Sequence, residues 1–390
     1  MNTINKLFLL AVGAALIFGL YGCDELVSIL SEGEPPSPLP DELLIGLVMP
    51  QSGAFVDGPD DPDIVRYLNG FYLARDEINN AQITPPRIRF ILEDNKSTAD
   101  GAIAAYNKLI HEHGVVALLG PATSTLTGAA FPVAEENRIV AIAPTSASQG
   151  LSALGDFVFR VNLTVDKLIP HGVRVTQEKL GYQSVAIIVD TRDGFSRSAN
   201  EVYAETLAAI GVKPLTTETF STVDADLRPQ LTRIRDLEPD AVLVAANSFD
   251  QPTVLVQGRE VGIPDDVPFI VPLMSVGEVL HAGAAAEGAI SITAWTSAAD
   301  TPGNQAFVRD FIDSYDSEPS VFSALAYTSV QLLVNAISEA GSTDSEAIRE
   351  ALAATSDFDT VLGGFSFDAV GDAEYDPVVL VVRGGDLQPF

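Results

Sequence analysis

From residue 44 onward the chain alternates short, wholly apolar runs with longer segments that are apolar on one face, and it does so in two cycles. That rhythm is its strongest folding constraint. A short apolar run without polar alternation suits a parallel strand covered on both faces. The first cycle places strands at residues 44–49, 87–92, 115–119 and 139–142, and helices at 67–80, 100–113 and 125–137. Asp100 is the expected cap of the second helix. The rhythm restarts after Arg160, with helices at 167–179, 198–210, 227–237 and 251–261 and strands at 185–189, 214–220 and 241–245. Helices at 305–315, 323–340 and 345–353 follow, then strand-like pieces at 364–367 and 378–382. The expected fold class is α/β, with two doubly wound parallel-sheet lobes. The 390 residues suffice for two such domains. The helices after Ala298 would overload the second lobe, so the chain is expected to return to the first.

The N-terminus is a segment of another kind. Lys6 precedes an apolar run over residues 7–20, the pattern of a secretory signal. That run is shorter than the ~20 residues of a spanning helix. It ends in Leu20-Tyr21-Gly22-Cys23, and Cys23 is the single cysteine, so no intramolecular disulfide can form. This ending resembles the bacterial lipobox: Leu20 and Gly22 fit it, and Tyr21 departs from it. Residues 1–22 are read as a lipoprotein signal peptide. Cys23 then carries lipid, and residues 23–42 form a proline- and acid-rich tether around Glu32-Gly33-Glu34-Pro35-Pro36. A plain signal peptide with an incidental cysteine is the alternative. Asp24 resembles the inner-membrane retention signal of some enteric bacteria, which places the protein on the periplasmic side of that membrane in a host with two.

The formal charge of −31 makes nucleic acid and anionic lipid surfaces poor partners. A salt-adapted exterior and an ordinary acidic secreted protein both fit this composition.

Two polar loops carry the binding chemistry. Leu118-Leu119-Gly120-Pro121-Ala122-Thr123-Ser124-Thr125 takes an apolar strand through a tight turn to three hydroxyl residues at a helix start. Free amides there and the Ser124 hydroxyl suit a carboxylate; simple N-capping by Ser124 is the plain reading. The strand at 139–142 leads into Pro144-Thr145-Ser146-Ala147-Ser148, a second such loop facing the same crevice if the strands are neighbours. Enzyme signatures are weak. There is no glycine-rich nucleotide fingerprint or phosphate loop. Gly194-Phe195-Ser196-Arg197-Ser198 has a serine where a nucleophile elbow needs its last glycine. His111 and His113 lie two apart and point to different helix faces, so no metal is expected. Gln257 to Gly262 reads as a helix end with Gly262 as its stop.

The order of these features resembles the leucine/isoleucine/valine-binding protein family, type I periplasmic binding proteins that serve ABC transporters, over residues 43–382. The resemblance rests on Ile45-Gly46-Leu47-Val48-Met49-Pro50-Gln51-Ser52-Gly53, on Leu73-Ala74-Arg75-Asp76-Glu77-Ile78-Asn79 and on Leu119-Gly120-Pro121 with Ser124. Ala143-Pro144, Phe159-Arg160, Gln257 to Gly262 and Ala326-Tyr327 complete it. It implies two lobes joined by a three-strand hinge, crossing near residues 160–163, 292–294 and 364–367. The lobes are then residues 43–161 with 294–363, and 162–293 with 364–390. It implies closure over a small ligand, a permease partner, a monomer, and neither cofactor nor catalytic residues.

Carried over by position, Ser124 matches a carboxylate-gripping serine, with Thr123 beside it. Thr145 matches a residue that offers backbone, and Ala147 stands where a threonine is usual, with Ser146 or Ser148 able to compensate. Phe195 and Asn247 match second-lobe lining positions. Leu273 or Met274 falls where amino-acid binders carry the glutamate that pairs with the ligand ammonium, and Asp250 is the one nearby carboxylate the sequence offers. The expected ligand is therefore a carboxylate or amide without an obligatory ammonium; a branched-chain amino acid is second. A sensor of the same fold is the rival function, opposed by the absence of a later apolar stretch near 18 residues.

Overall fold

The computed structural model describes residues 39–56, 58–81, 87–222 and 224–390. Cys23, Asp24, the expected signal and most of the tether lie outside them. The first cycle forms β1 (Glu42–Met49), α1 (Pro62–Ala81), β2 (Arg87–Asp94), α2 (Ala99–Lys108), β3 (Ala117–Leu119), α3 (Ser124–Glu136), β4 (Ala141–Ala143) and β5 (Val158–Arg160). The strands make a parallel sheet in the order β2-β1-β3-β4-β5.

The second cycle forms α4 (Val165–Leu180), β6 (Ser184–Asp190), α5 (Gly194–Ala209), β7 (Lys213–Phe220), α6 (Arg228–Asp236), β8 (Ala241–Ala245), α7 (Gln251–Glu260), β9 (Phe269–Pro272), α8 (Val276–Ala282) and β10 (Ile290–Thr293). Then come α9 (Asn304–Tyr315), α10 (Val321–Ala340), α11 (Ser345–Ala353), β11 (Phe358–Thr360), β12 (Gly363–Phe367), β13 (Ala373–Glu374), β14 (Val378–Arg383) and β15 (Asp386–Pro389). The second sheet runs β15-β14-β10-β9-β8-β6-β7, parallel from β7 to β10, with β14 antiparallel to β10 and β15 antiparallel to β14. Strands β11, β12 and β13 form a small antiparallel sheet of their own.

Burial explains which strands the sequence declares. Every residue of β3, β4 and β8 is buried, so each reads as one apolar run. Strand β7 sits on the edge and alternates, with Lys213, Leu215, Thr217 and Thr219 on its open face. Helix α1 begins five residues before the expected Tyr67, because Asp61 caps it by accepting the Asp63 and Ile64 amides and Pro62 occupies its first turn. The cap of α2 is Thr98, which accepts the Gly101 amide at 3.0 Å; Asp100 lies inside the first turn.

The late helices pack on the first sheet's side. Gly70 lets α1 and α10 touch, since a Cβ there would meet the Ser323 carbonyl oxygen at 2.2 Å. Ser323 donates to the Arg66 carbonyl at 2.9 Å and Tyr327 to Glu77 at 2.5 Å. Helix α10 has 20 residues and is apolar enough to cross a membrane by length and composition, so a later apolar stretch does exist. It is mostly buried against its neighbours, as a core helix is.

Where β5 leaves the first sheet, the Arg160 side chain is wholly buried. Its Nε donates to Asp372 at 2.7 Å and to the Ser152 hydroxyl at 3.0 Å, and Nη1 donates to the Ser148 carbonyl. Removing one partner of a buried pair strands the other charge. Asp372→Ala should therefore cost about 3–5 kcal/mol of unfolding free energy in urea titrations.

Candidate ligand-binding cleft

Loops at the carboxyl ends of the two sheets enclose a cavity of about 370 Å³, within the usual range for small-molecule sites. The first sheet contributes Thr123, Ser124 and Thr145 to its wall, and the second contributes Phe195, Asn247 and Leu273. Ser146 and Ala147 stand behind it. The Ser146 hydroxyl pairs with Thr127 at 2.7 Å, and the Ala147 amide donates to Ser124 Oγ at 3.1 Å.

The turn into α3 needs glycine. Gly120 has φ +102°, and a Cβ there would meet the Val48 carbonyl oxygen at 2.3 Å. Thr123, not Ser124, is the N-cap, with Oγ1 accepting from the Leu126 amide at 3.5 Å. Ser124 Oγ instead accepts the amides of Ala147 and Ser148, each at 3.1 Å. A hydroxyl has two lone pairs and one proton. Both lone pairs are used, so the Ser124 proton is left for an acceptor in the cavity. Thr145 spends its proton on the Ala122 carbonyl at 2.6 Å. Its 3.1 Å contact with the Tyr67 hydroxyl is therefore donated by Tyr67, whose oxygen keeps accepting capacity. Burial pushes the Tyr67 pKa up, so it stays neutral.

The two sides of the cleft touch around the cavity. Thr125 donates to Asp193 Oδ1 and accepts from the Gly194 amide, both at 2.9 Å. The Gln149 amide donates to Ser198 Oγ at 3.1 Å. Phe55 and Phe249 stack with centroids 4.7 Å apart and planes at 10°. His281 Nδ1 lies 3.4 Å from Asp63 Oδ2. Gly194 to Ser198 is the capped first turn of α5: Asp193 accepts the Ser196 amide and hydroxyl.

Several wall residues were not singled out from the sequence. Tyr67 stood only as the first residue of the expected helix, yet it lines the cavity with Phe55, Phe249 and Phe322. Gln251, the first residue of α7, lines it too and is 1% exposed. Its Nε2 donates to the carbonyls of Ala246 and Pro272, while Oε1 is buried with no donor. Leu273 sits in the left-handed region at φ +59°, held by its amide bond to the Ile292 carbonyl at 2.8 Å. For a branched side chain that conformation costs about 1–2 kcal/mol.

The acid missing at Leu273 and Met274 enters from α8. Glu278 lines the cavity, is 4% exposed, and accepts the Ser275 amide at 2.6 Å in a capping box. Burial pushes its carboxyl up to about 7 against its Ser275 hydrogen bonds, and the nearby Asp63 charge adds to the rise. Asp250 is not part of the wall. Burial, with Asp190 and Asp193 beside it, pushes it up to about 7 as well.

Two doubly wound sheets closed over a cavity lined from both define a type I periplasmic-binding fold. The chain matches the family model described as periplasmic binding protein over residues 42–384 and belongs to that family, in its leucine-binding branch. Leu/Ile/Val-binding protein homolog 2 of Brucella abortus is 25% identical over 310 residues, 79% of this chain and 81% of that protein. The branched-chain amino acid transporter substrate binding protein LivJ from Streptococcus pneumoniae, solved with isoleucine, is 27% identical, with a TM-score of 0.80 over 89% of this chain and 98% of that one. A solute binding protein from R. palustris, solved with benzoate, shares the fold at 21% identity and TM-score 0.80, over 89% and 95%. The homologues are substrate-binding proteins of ABC transporters, not enzymes.

Ser124→Ala should be costly even without ligand. It leaves the buried amides of Ala147 and Ser148 without an acceptor, at about 1–3 kcal/mol each. Chemical denaturation of the ligand-free protein measures this directly.

Proposed function

We propose that the protein is an extracytoplasmic solute-binding lipoprotein that captures a small polar solute between two closing lobes and delivers it to an ABC permease. The observation that carries this reading is the cleft: a cavity of about 370 Å³ walled by both sheets and ringed by contacts that span them. Nothing in such a task breaks a bond, which suits a wall built of aromatic rings, hydroxyls and amides. Residues 43–161 with 294–363 act as one lobe and residues 162–293 with 364–390 as the other. The proposed binding residues are Thr123, Ser124, Thr145, Phe195, Asn247 and Leu273. Ser146 and Ala147 support them from behind. The free Ser124 proton favours a ligand with an oxygen acceptor at that end, as a carboxylate, amide or amino-acid-like solute provides. The protein works as a monomer.

Closure is tested on the protein itself. Trp295, the single tryptophan, is buried just beyond β10, where the chain leaves the second sheet, with Nε1 donating to Asn304 at 2.7 Å. A saturating solute should shift its emission and lower the radius of gyration in X-ray scattering. Unchanged scattering in the presence of a solute proved to bind by calorimetry would defeat the closing-lobe reading.

Anchoring through Cys23 is tested by fractionation. Cys23→Ser should move the protein from the membrane pellet to the soluble fraction, because the two acyl chains that make anchoring stable are then lost. A mutant that stays in the pellet rules the anchor out.

A further inference from the structure

We infer that the cleft selects a ligand whose obligatory charged group is a cation, with a neutral carbonyl sufficing at the other end. This rests on reading the cleft as the solute site and names the ligand class for it.

Acceptors in the wall lack donors. Gln251 Oε1 is buried with no partner, and its amide orientation is fixed because Nε2 already donates to two carbonyls. A buried acceptor without a donor costs about 1–3 kcal/mol, which a ligand N–H would recover. Tyr67 presents an oxygen whose proton is already spent on Thr145. Glu278 has hydrogen bonds from Ser275 but no basic partner in the wall. Among the described residues the wall contains carboxylates from Asp61, Asp63 and Glu278 and no Lys or Arg. Asp63 is paired with Arg66 and Asp61 is engaged in capping α1, so Glu278 is the acid left for a ligand. The rings of Phe55, Tyr67, Phe195, Phe249 and Phe322 complete the wall, and aromatic rings attract a cation held over their faces.

The opposite end serves an anion poorly. The Ala147 and Ser148 amides are turned to Ser124 Oγ. The start of α3 already faces a protein carboxylate, that of Asp193, through Thr125. What remains are neutral donors, the hydroxyls of Ser124 and Thr123, which suit a carbonyl oxygen. A carboxylate there would add negative charge to a wall that has no Lys or Arg among the described residues and whose one imidazole, His281, is already turned to Asp63.

Calorimetry at about pH 6.5, where an α-amino group is still protonated, separates the possibilities. Leucinamide, leucine and 4-methylpentanoate share one body and carry net charges of plus one, zero and minus one. Phenylalaninamide, phenylalanine and 3-phenylpropanoate repeat the series with a larger body. Affinity should fall in that order, by about tenfold or more between the ends of the series that fits, or 1.4 kcal/mol per tenfold. An acid that binds as tightly as its amide overturns the inference and leaves the solute-binding reading intact. No binding by any of the six overturns both.

Glu278→Gln keeps an oxygen for the Ser275 amide, so the cap survives while the charge goes. It should level the series without lowering the melting temperature; a retained preference for the amide would remove Glu278 from the assignment. Asp250→Asn, a buried acid of the same lobe outside the wall, should leave the series unchanged. A second readout follows protons. Asp63 of α1 acts on Glu278, with Asp61 beside it in the wall and Arg66 paired to Asp63, and His281 shares the Glu278 helix. Without ligand the Glu278 carboxyl stands near 7, and a bound cation favours its ionised form. Binding of 3-methylbutylamine, which stays charged, should release protons near neutral pH and tighten as pH rises from about 6 to 8. The Glu278→Gln protein should do neither.

Discussion

Arg160 ties the crossing between the lobes to the wall of the cleft. Its guanidinium has left water entirely, and burial pulls its pKa down while Asp372 pushes back up. Nη2 lies 2.6 Å from Asp372 Oδ1 but off the line of a hydrogen bond, so it contributes a charge contact there. A guanidinium keeps its charge even when burial pulls its pKa down, because it holds its proton more tightly than any other side chain. It must therefore be surrounded by acceptors, and here these come from two separate segments: Ser148 and Ser152 of the connection between β4 and β5, and Asp372 beyond β12. The segment around Gly371 is held twice, since the Arg160 amide also donates to the Gly371 carbonyl at 2.9 Å. Any rearrangement at this point has to find those acceptors again.

The consequence reaches the ligand wall in two steps. Arg160 fixes the Ser148 carbonyl, and the Ser148 amide fixes Ser124 Oγ. The first lobe's wall is thus largely fixed before any solute arrives: Thr123 caps a helix, Thr145 is spent on Ala122 and Ser124 holds two amides, which leaves the hydroxyl protons of Ser124 and Thr123 and the Tyr67 oxygen for a ligand. The second lobe's wall is different. Gln251 has an empty acceptor, Glu278 is buried without a base, and Leu273 holds a strained backbone. A preorganised wall binds at low entropic cost. A wall with unmet hydrogen bonds gains most when something fills it. On the closing-lobe reading proposed above, the asymmetry favours docking on the first lobe, with the second lobe supplying the free energy of closure.

The parts of this arrangement visible in the sequence are those with a repeating physical cause. Strands β1, β3 and β8 are apolar runs because both their faces are covered. The loops at Ser124 and Thr145 stand out because hydroxyl residues cluster after buried strands. Strands β9 and β10 escaped notice: each has four residues, β9 ends in proline, and between them the chain turns through the left-handed Leu273. Helix α8 has seven residues, too few to establish a period. Glu278 was lost with it, so the acid sought at Leu273 was looked for in the wrong place. Gln251 and Tyr67 carry no local signal, because their roles depend on which carbonyls and hydroxyls the fold brings beside them.

The seam between the lobes also bears on the acidic surface. A chain of net charge −31 holds two negative halves against each other across the cleft, and such self-repulsion is screened only beyond about 8–10 Å at physiological salt. The contacts that span the seam are chosen accordingly. Thr125 meets Asp193, Gln149 meets Ser198, Phe55 meets Phe249, and His281 meets Asp63. None of these pairs sets one carboxylate against another. Among the described contacts the exception is Glu278, whose carboxyl feels Asp63 across the seam, and both residues line the cavity. Like charges are thus kept apart everywhere along the seam except at the place a solute would occupy, where a positive charge would reconcile them.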